Sequence, residues 1–250
     1  MDFCQKKQEH IQPDDSTDTG DMWIWRAMDV LTRLRVVNHI SHSRDEVQAT
    51  KFLANFKART GGRTPLFTSD KLPAYTKALI DNYSIPEPTP VKRKPGRPRN
   101  EPKRIIDPNL RYAQVVKKRE GGRIVEVRRQ IVFGAEGDIM LQLKLENCGS
   151  YINTSYIERD NLTSRHSNSR LVRKTLSHSK KKHFLQRHVD LEDAIYNFVR
   201  PHSALRIKID NPIKKGSQWK ERTPAMAVGI TNHLWSLEEL LSYRLPPPSK

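Results

Sequence analysis

WIWRAMDVLTRLRVVNHI (23–40) is the stretch on which the fold turns. Two apolar segments, 23–30 and 33–40, are rich in aromatic and β-branched residues and are parted by a short polar break, so they read as a β-hairpin. Working outward, SRDEVQATKFLANFKARTG (43–61) has Val47, Phe52, Leu53 and Phe56 as an apolar stripe, and Gly61-Gly62 marks its end, which predicts a helix. PLFTSD (65–70) is a short strand that ends in an acid. LPAYTKALIDNY (72–83) is a second helix, with Pro73 tolerated in its first turn.

Beyond residue 83 the pattern breaks. SIPEPTPVKRKPGRPRNEPKR (84–104) has six prolines and no apolar period, so it reads as an extended insert. RYAQVVKK and GRIVEVRRQIVFG flank Glu120-Gly121-Gly122 and predict a second hairpin. A long helical stretch is expected from Thr154. Within it LEDAIYNFV (191–199) places apolar residues at 191, 194, 195, 198 and 199, a helical stripe ended by Pro201. LWSLEELLSY is a last amphipathic piece. The order hairpin, helix, strand, helix, insert, strands, helices is that of an α/β core with chemistry at strand ends, shared by many folds.

The chain has 250 residues and a formal net charge of +17. Residues 91–130 hold 14 Lys/Arg against 4 acids, and residues 151–190 hold 9 against 3, whereas residues 1–22 carry 6 acids against 2 lysines. Two basic tracts of this kind point to nucleic acid. No apolar run approaches the roughly 18 residues of a spanning helix, and the opening lacks the apolar core of a signal peptide. No membrane partner is expected, and the location implied is cytoplasmic, with the nucleoid. Cys4 and Cys148 alone support neither a disulfide framework nor a zinc site built on cysteine pairs.

Transfer at a phosphodiester needs an activated oxygen nucleophile and compensation of charge on the leaving oxygen, which two divalent ions can supply. Mg²⁺ prefers carboxylate oxygens, so such a site draws acids from separate elements. Asp70 ends a strand, and Glu158 lies in the first turns of the helix opened by NTSYIERDN. Asn161, Leu162 and Arg165 follow Glu158 at helical spacing, a face able to hold a metal at one end and a DNA phosphate at the other. By spacing alone, a glutamate favouring the helix dipole, with Arg165 on a solvated face, is the better reading of Glu158. His166, His178, His183 and His188 lie among basic residues and read as phosphate contacts or surface rather than ligands. Phe198 reads as core, while Tyr196 falls just off the apolar stripe.

FTSDKLPAY (67–75), YIERDNLTSRHSNSRLVRKTLSHSK (156–180), YNFVRPHSAL (196–205) and RTPAMAVGITNHLWSLEELLSYRLPPP (222–248) resemble prokaryotic transposases of the insertion-sequence-one type, and the motifs fall in family order. The resemblance implies an Asp-Asp-Glu enzyme on a ribonuclease-H-like mixed sheet of about five strands flanked by helices, with a basic Pro-rich insert and a helical C-terminal extension. The implied organisation is 1–83 as the first part of the catalytic core, 84–104 as the insert, 105–205 as the rest of the core and 206–250 as the extension. Asp70 matches the second aspartate and Glu158 the glutamate, so both are expected to hold Mg²⁺ or Mn²⁺.

In that family the first aspartate stands in an Asp-Glu-x-Trp-x-Phe pattern followed by basic residues. Here Phe3 and Lys6-Lys7 match only the end of it, and the expectation is a chain that starts inside the first strand, after any DNA-binding domain. Asp2 and Asp29 are the candidate replacements; Asp2 directly precedes Phe3, and Asp29 falls at the hairpin turn, where local hydrogen bonding favours Asp.

KRKPGRPRN (92–100) resembles an AT-hook: Pro95 and Pro98 extend the backbone, Gly96 lets it lie deep in a narrow groove, and Lys92, Arg93, Lys94, Arg97 and Arg99 answer the potential of A·T-rich minor grooves. A solvated basic linker is the other reading of this stretch. With Asn161, Arg165, Arg173 and Lys174 these complete the expected DNA contacts. The function implied is strand cleavage and strand transfer on double-stranded DNA, at element ends and target, by a homo-oligomer, provided the first aspartate is supplied. The alternative is a truncated transposase remnant that binds DNA without transfer; a chromatin-like architectural protein would explain the hook but neither FTSD nor YIERDN.

Overall fold

The computed structural model describes all of the chain except residues 1, 5–7, 11, 15–18, 88–103, 147, 149–150, 173–174, 210–217 and 245–250, and describes only the backbone of residues 2–4 and 8. The protein is mixed α/β and divides into two compact units, one formed by Met1–His42 with Ile157–Lys250 and the other by Ser43–Tyr156.

The opening of the first unit is an antiparallel sheet in the order β1 (Asp2–Cys4), β2 (Gly20–Met28), β3 (Arg35–Ser41). β2 and β3 are the expected hairpin. Its turn is closed by Asp29, whose carboxylate accepts from the backbone N–H of Thr32 at 2.9 Å and from the Thr32 hydroxyl, and by the Asp29 N–H donating to the Leu34 carbonyl at 2.9 Å. This is the local bonding for which Asp is favoured in turns.

The second unit begins with α1 (Glu46–Arg59), capped by the Asp45 carboxylate on the Gln48 N–H at 2.9 Å. Its buried stripe is Ala49, Phe52, Leu53 and Phe56. Val47, expected in that stripe, is 58% exposed, because it stands two residues past the cap, off the face of Ala49, Phe52, Leu53 and Phe56. Gly61 and Gly62 then turn the chain at φ of +61° and +80°, a conformation open to glycine without strain.

β4 (Leu66–Asp70) and α2 (Pro73–Tyr83) follow, and Phe67 of β4 packs edge-on between Phe56 and Tyr83 with ring centroids 5.4 Å away in each case. β5 (Ser84–Pro86) pairs antiparallel with β6 (Arg104–Ile106), so the two ends of the Pro-rich insert are clipped together. The AT-hook-like stretch with Lys92, Arg93, Lys94, Gly96, Arg97, Pro98 and Arg99 lies outside the described residues.

β7 (Arg111–Glu120) runs parallel to β4 and antiparallel to β8 (Arg123–Phe133), giving the order β4-β7-β8. The expected single sheet of about five strands is therefore replaced, among the described residues, by two three-stranded sheets, one in each unit, with two-stranded pairs beside them. The pairing follows local closures: each three-stranded sheet contains one tight hairpin, which fixes two of its strands at once. α3 (Glu136–Leu145) buries Ile139 and Leu143. No periodic stripe longer than two residues announces it, and the sequence reading lacks it.

The chain then returns to the first unit. The expected continuous helix from Thr154 is broken into α4 (Ser155–Ser167), a 3₁₀ turn at Ser169–Leu171 capped by Asn168, and α5 (Lys182–Ala194). Met22, Ile40, Leu171, Leu185 and Val189 form the apolar cluster beneath the hairpin. α5 runs directly into a π-helical turn, Ile195–Val199. The buried face of α5 runs through Leu185, Val189, Glu192 and Asp193 and continues into Tyr196 and Asn197, while Leu191 of the expected stripe is 42% exposed. Phe198 packs on Trp235 at 4.7 Å between ring centroids, and Trp235 on Tyr243 at 5.1 Å. β9 (Ile207–Lys208), β10 (Trp219–Lys220), α6 (Pro224–Val228) and α7 (Leu237–Ser242) complete the unit.

Candidate functional site

Asp70 is the last residue of β4, level with Val115 of the parallel neighbour β7. It stands at the carboxyl end of a parallel pair, the end at which open α/β sheets place their ligands. The strand end is braced from beneath. The Ser69 hydroxyl lies 2.7 Å from the Tyr112 hydroxyl and donates to the Asp70 carbonyl at 2.7 Å, and the Gln114 amide donates to the Tyr112 hydroxyl at 2.9 Å. Backbone and side chain of Asp70 are thus separately held: the carboxylate reaches outward and pairs with Arg44 at 3.2 Å, with 62% of its side chain exposed. Burial raises the pKa of nearby Tyr75 well above the ordinary phenol value, and the charge on Asp70 adds to the shift.

Glu158 is in the first turn of α4 and is exposed, as are Asn161 and Leu162, with Arg165 half-buried. The opposite face of α4 is buried and polar: Asp160, Ser164 and, just past the helix end, Asn168. Sequence reasoning misses this face and the partners that hold it. Arg35, whose side chain has no exposed surface, donates from Nε to Asp160 at 2.9 Å and from one terminal nitrogen to Glu192 at 2.7 Å and Asp193 at 3.0 Å. Its guanidinium lies 3.9 Å over the Tyr196 ring. Arg26 donates to Asp160 at 3.3 Å, to Ser164 at 2.8 Å and to Asp193 at 3.0 Å. Glu192 also accepts from Ser164, from Ser167 at 3.3 Å and from Asn168 at 3.1 Å.

Two guanidiniums face three carboxylates, so the formal charges leave one negative charge in surplus at a buried site. Burial dominates Asp193 and raises its pKa against the pull of Arg26 and Arg35. For Glu192 burial also acts upward, but the Ser164 hydroxyl and the two arginines outweigh it and the pKa falls below the ordinary value. Burial acts to lower the Arg35 pKa, and the three acids more than offset it. The signal in the sequence is Arg26 within the apolar run MWIWRAM and Arg35 at the head of RVVNHI, because Arg is almost never fully buried unless paired.

The remaining candidates fall as follows. Asp29 is spent on its own turn. Asp2 lies on β1 with its Cα opposite Met22. Arg173 and Lys174 lie outside the described residues. His188 accepts a hydrogen bond from Arg170 Nε at 2.9 Å, and burial together with that arginine lowers its pKa, which suits a neutral acceptor. Among the described residues no three of His, Cys, Asp and Glu converge as a metal-binding group. Asp70 belongs to one unit and Glu158 to the other. No helix among the described residues is long and apolar enough to cross a membrane. No family model matches the chain, and no curated protein and no solved structure matches it.

Proposed function

We propose that this chain carries the ribonuclease-H-like core of a metal-dependent DNA transposase, which, with a first aspartate supplied, cleaves a strand at an element end and joins the exposed 3′-hydroxyl to target DNA as a homo-oligomer. The observation that carries the reading is Asp70: an exposed carboxylate at the carboxyl end of a parallel-paired strand, on a backbone braced by Ser69 and Tyr112, within the motif FTSDKLPAY. Glu158 supports it as an exposed carboxylate in the first turn of α4, within YIERDN. The net charge of +17 suits a polyanionic substrate.

The donor chemistry fits Mg²⁺ or Mn²⁺, since both acids offer hard, solvent-reachable oxygens. Asp70 and Glu158 are the acids that the family pattern would assign to the metal, which would supply an activated oxygen nucleophile and charge compensation on the leaving oxygen. Arg44 holds the Asp70 carboxylate extended until it is engaged. Arg165 and Asn161, on the face of Glu158, would bind phosphate.

The test has two readouts on the full chain. Mn²⁺ binding followed by electron paramagnetic resonance should be lost in both Asp70→Asn and Glu158→Gln. Joining of a pre-cut duplex from the DNA flanking the coding sequence to plasmid, with a first-strand aspartate restored, should need the metal and both acids. Mn²⁺ binding unchanged by both substitutions would overturn the assignment of the site. DNA binding without metal binding or joining in the unaltered chain would replace the enzyme by a DNA-binding remnant.

A further inference from the structure

The β7–β8 hairpin is longer than its unit needs. Val115 is buried, whereas residues 118–120 and 123–125 are all exposed. At about 3.4 Å per residue the tip lies roughly 20 Å beyond Val115. Gly121 and Gly122, at φ of +54° and +82°, close the ribbon in a two-residue turn that only positive φ allows.

The register sorts its side chains into two unlike faces. On one, Val115 stands opposite Arg129, Lys117 opposite Val127 and Arg119 opposite Ile124. On the other, Val116 stands opposite Arg128, Lys118 opposite Glu126 and Glu120 opposite Arg123. The shift in register between Lys118 and Arg119 keeps this division up to the tip by leaving Val125 as the extra residue. Both acids of the ribbon are on the second face, where Lys118 pairs with Glu120 at 2.8 Å and Arg128 pairs with Glu126. The first face has three cations, no acid, and the exposed apolar side chains of Ile124 and Val127. Arg119 makes no ion pair or side-chain hydrogen bond among the described residues, and Arg129 is oriented by the Ile152 carbonyl at 2.9 Å and by the Tyr151 ring at 4.4 Å.

We propose that the acid-free face of this ribbon is a docking surface for duplex DNA, seated in the major groove. Charge selects the partner: a strip of cations with its acids moved to the far side fits a polyanion. Shape selects the groove. The major groove of B-form DNA is about 12 Å wide and admits a two-stranded ribbon, whereas the major groove of A-form RNA is too narrow to be read. Ile124 and Val127, interleaved with the cations, can meet thymine methyl groups, and Arg119 can reach phosphate or guanine. The inference takes its partner from the DNA-directed reading above but requires neither the metal nor strand transfer.

The experiment measures affinity of the full chain for a mixed-sequence duplex between about 50 and 200 mM salt. Replacing Lys117 and Arg119 together by alanine should flatten the slope of log affinity against log salt by about 2, one for each lost phosphate contact. Replacing Arg123 and Arg128 on the opposite face should flatten it by less than half as much, and Arg119→Lys should keep the slope while losing any preference for guanine. All proteins carry Glu158→Gln, so the outcome is independent of catalysis. Equal effects from the two faces, or no change in slope, would overturn the proposal. So would an equal loss on an RNA duplex of the same sequence, or a change in sedimentation of the protein alone that marks the face as a contact with a second copy.

Discussion

Arg35, fully buried at the first residue of β3, donates from Nε to Asp160 at 2.9 Å, and Asp160 is two residues beyond Glu158 on α4. The hairpin that opens the chain thereby fixes the helix that presents Glu158. Glu192 and Asp193 share the same guanidinium, so α5 is tied into the same point.

Arg35→Met should destabilise the protein by about 3–5 kcal/mol, because it strands Asp160, Glu192 and Asp193 with only Arg26 to compensate them. Denaturant unfolding followed by circular dichroism measures this. A loss below about 1 kcal/mol would mean that the cluster is solvated in solution.

The acid limb of stability should reflect two opposing titrations. Glu192 has a lowered pKa in the fold, so its contribution is present above its unfolded value and is lost as pH falls through its folded one. Asp193 has a raised pKa, so its contribution is full below its unfolded value and is lost as pH rises through its folded one. Asp193→Asn removes the second titration and should leave a steeper loss of stability on acidification. An identical pH profile in the variant would contradict the assignment.

Glu158→Gln changes an exposed side chain in the first turn of α4 and should cost no more than about 1 kcal/mol. Asp70→Asn also breaks the exposed pair with Arg44 and should cost no more than about 1 kcal/mol. Loss of metal-dependent joining by roughly 100-fold or more in either variant, at preserved stability, separates chemistry from folding. Unfolding of either variant at ordinary temperature would assign these acids to structure instead.

Trp235→Ala should loosen the C-terminal segment, since Trp235 is the ring between Phe198 and Tyr243 and donates from Nε1 to the Thr231 hydroxyl at 2.9 Å. Limited proteolysis should then cut within residues 229–244 at least several-fold faster, because local opening sets cleavage. Unchanged cleavage would show that α6 and α7 hold without the aromatic stack.

Local chemistry was enough to determine a good deal from the sequence. The β2–β3 hairpin, α1 with its Asp45 cap and glycine stop, Pro73 opening α2 and the Gly121-Gly122 turn all depend on residues near one another in the chain. Asp70 at a strand end and Glu158 at a helix start were legible for the same reason. Other features needed distant partners. The two three-stranded sheets, the parallel match of β4 with β7, and the burial of Tyr196 depend on which surfaces meet. The buried cluster is the clearest case: Asp160, Glu192 and Asp193 read as solvated charges on amphipathic helices until Arg26 and Arg35, more than a hundred residues away, are brought against them. Charges enter an interior only when countercharges are already there to replace water, and that condition is set by tertiary packing rather than by any neighbour in the sequence.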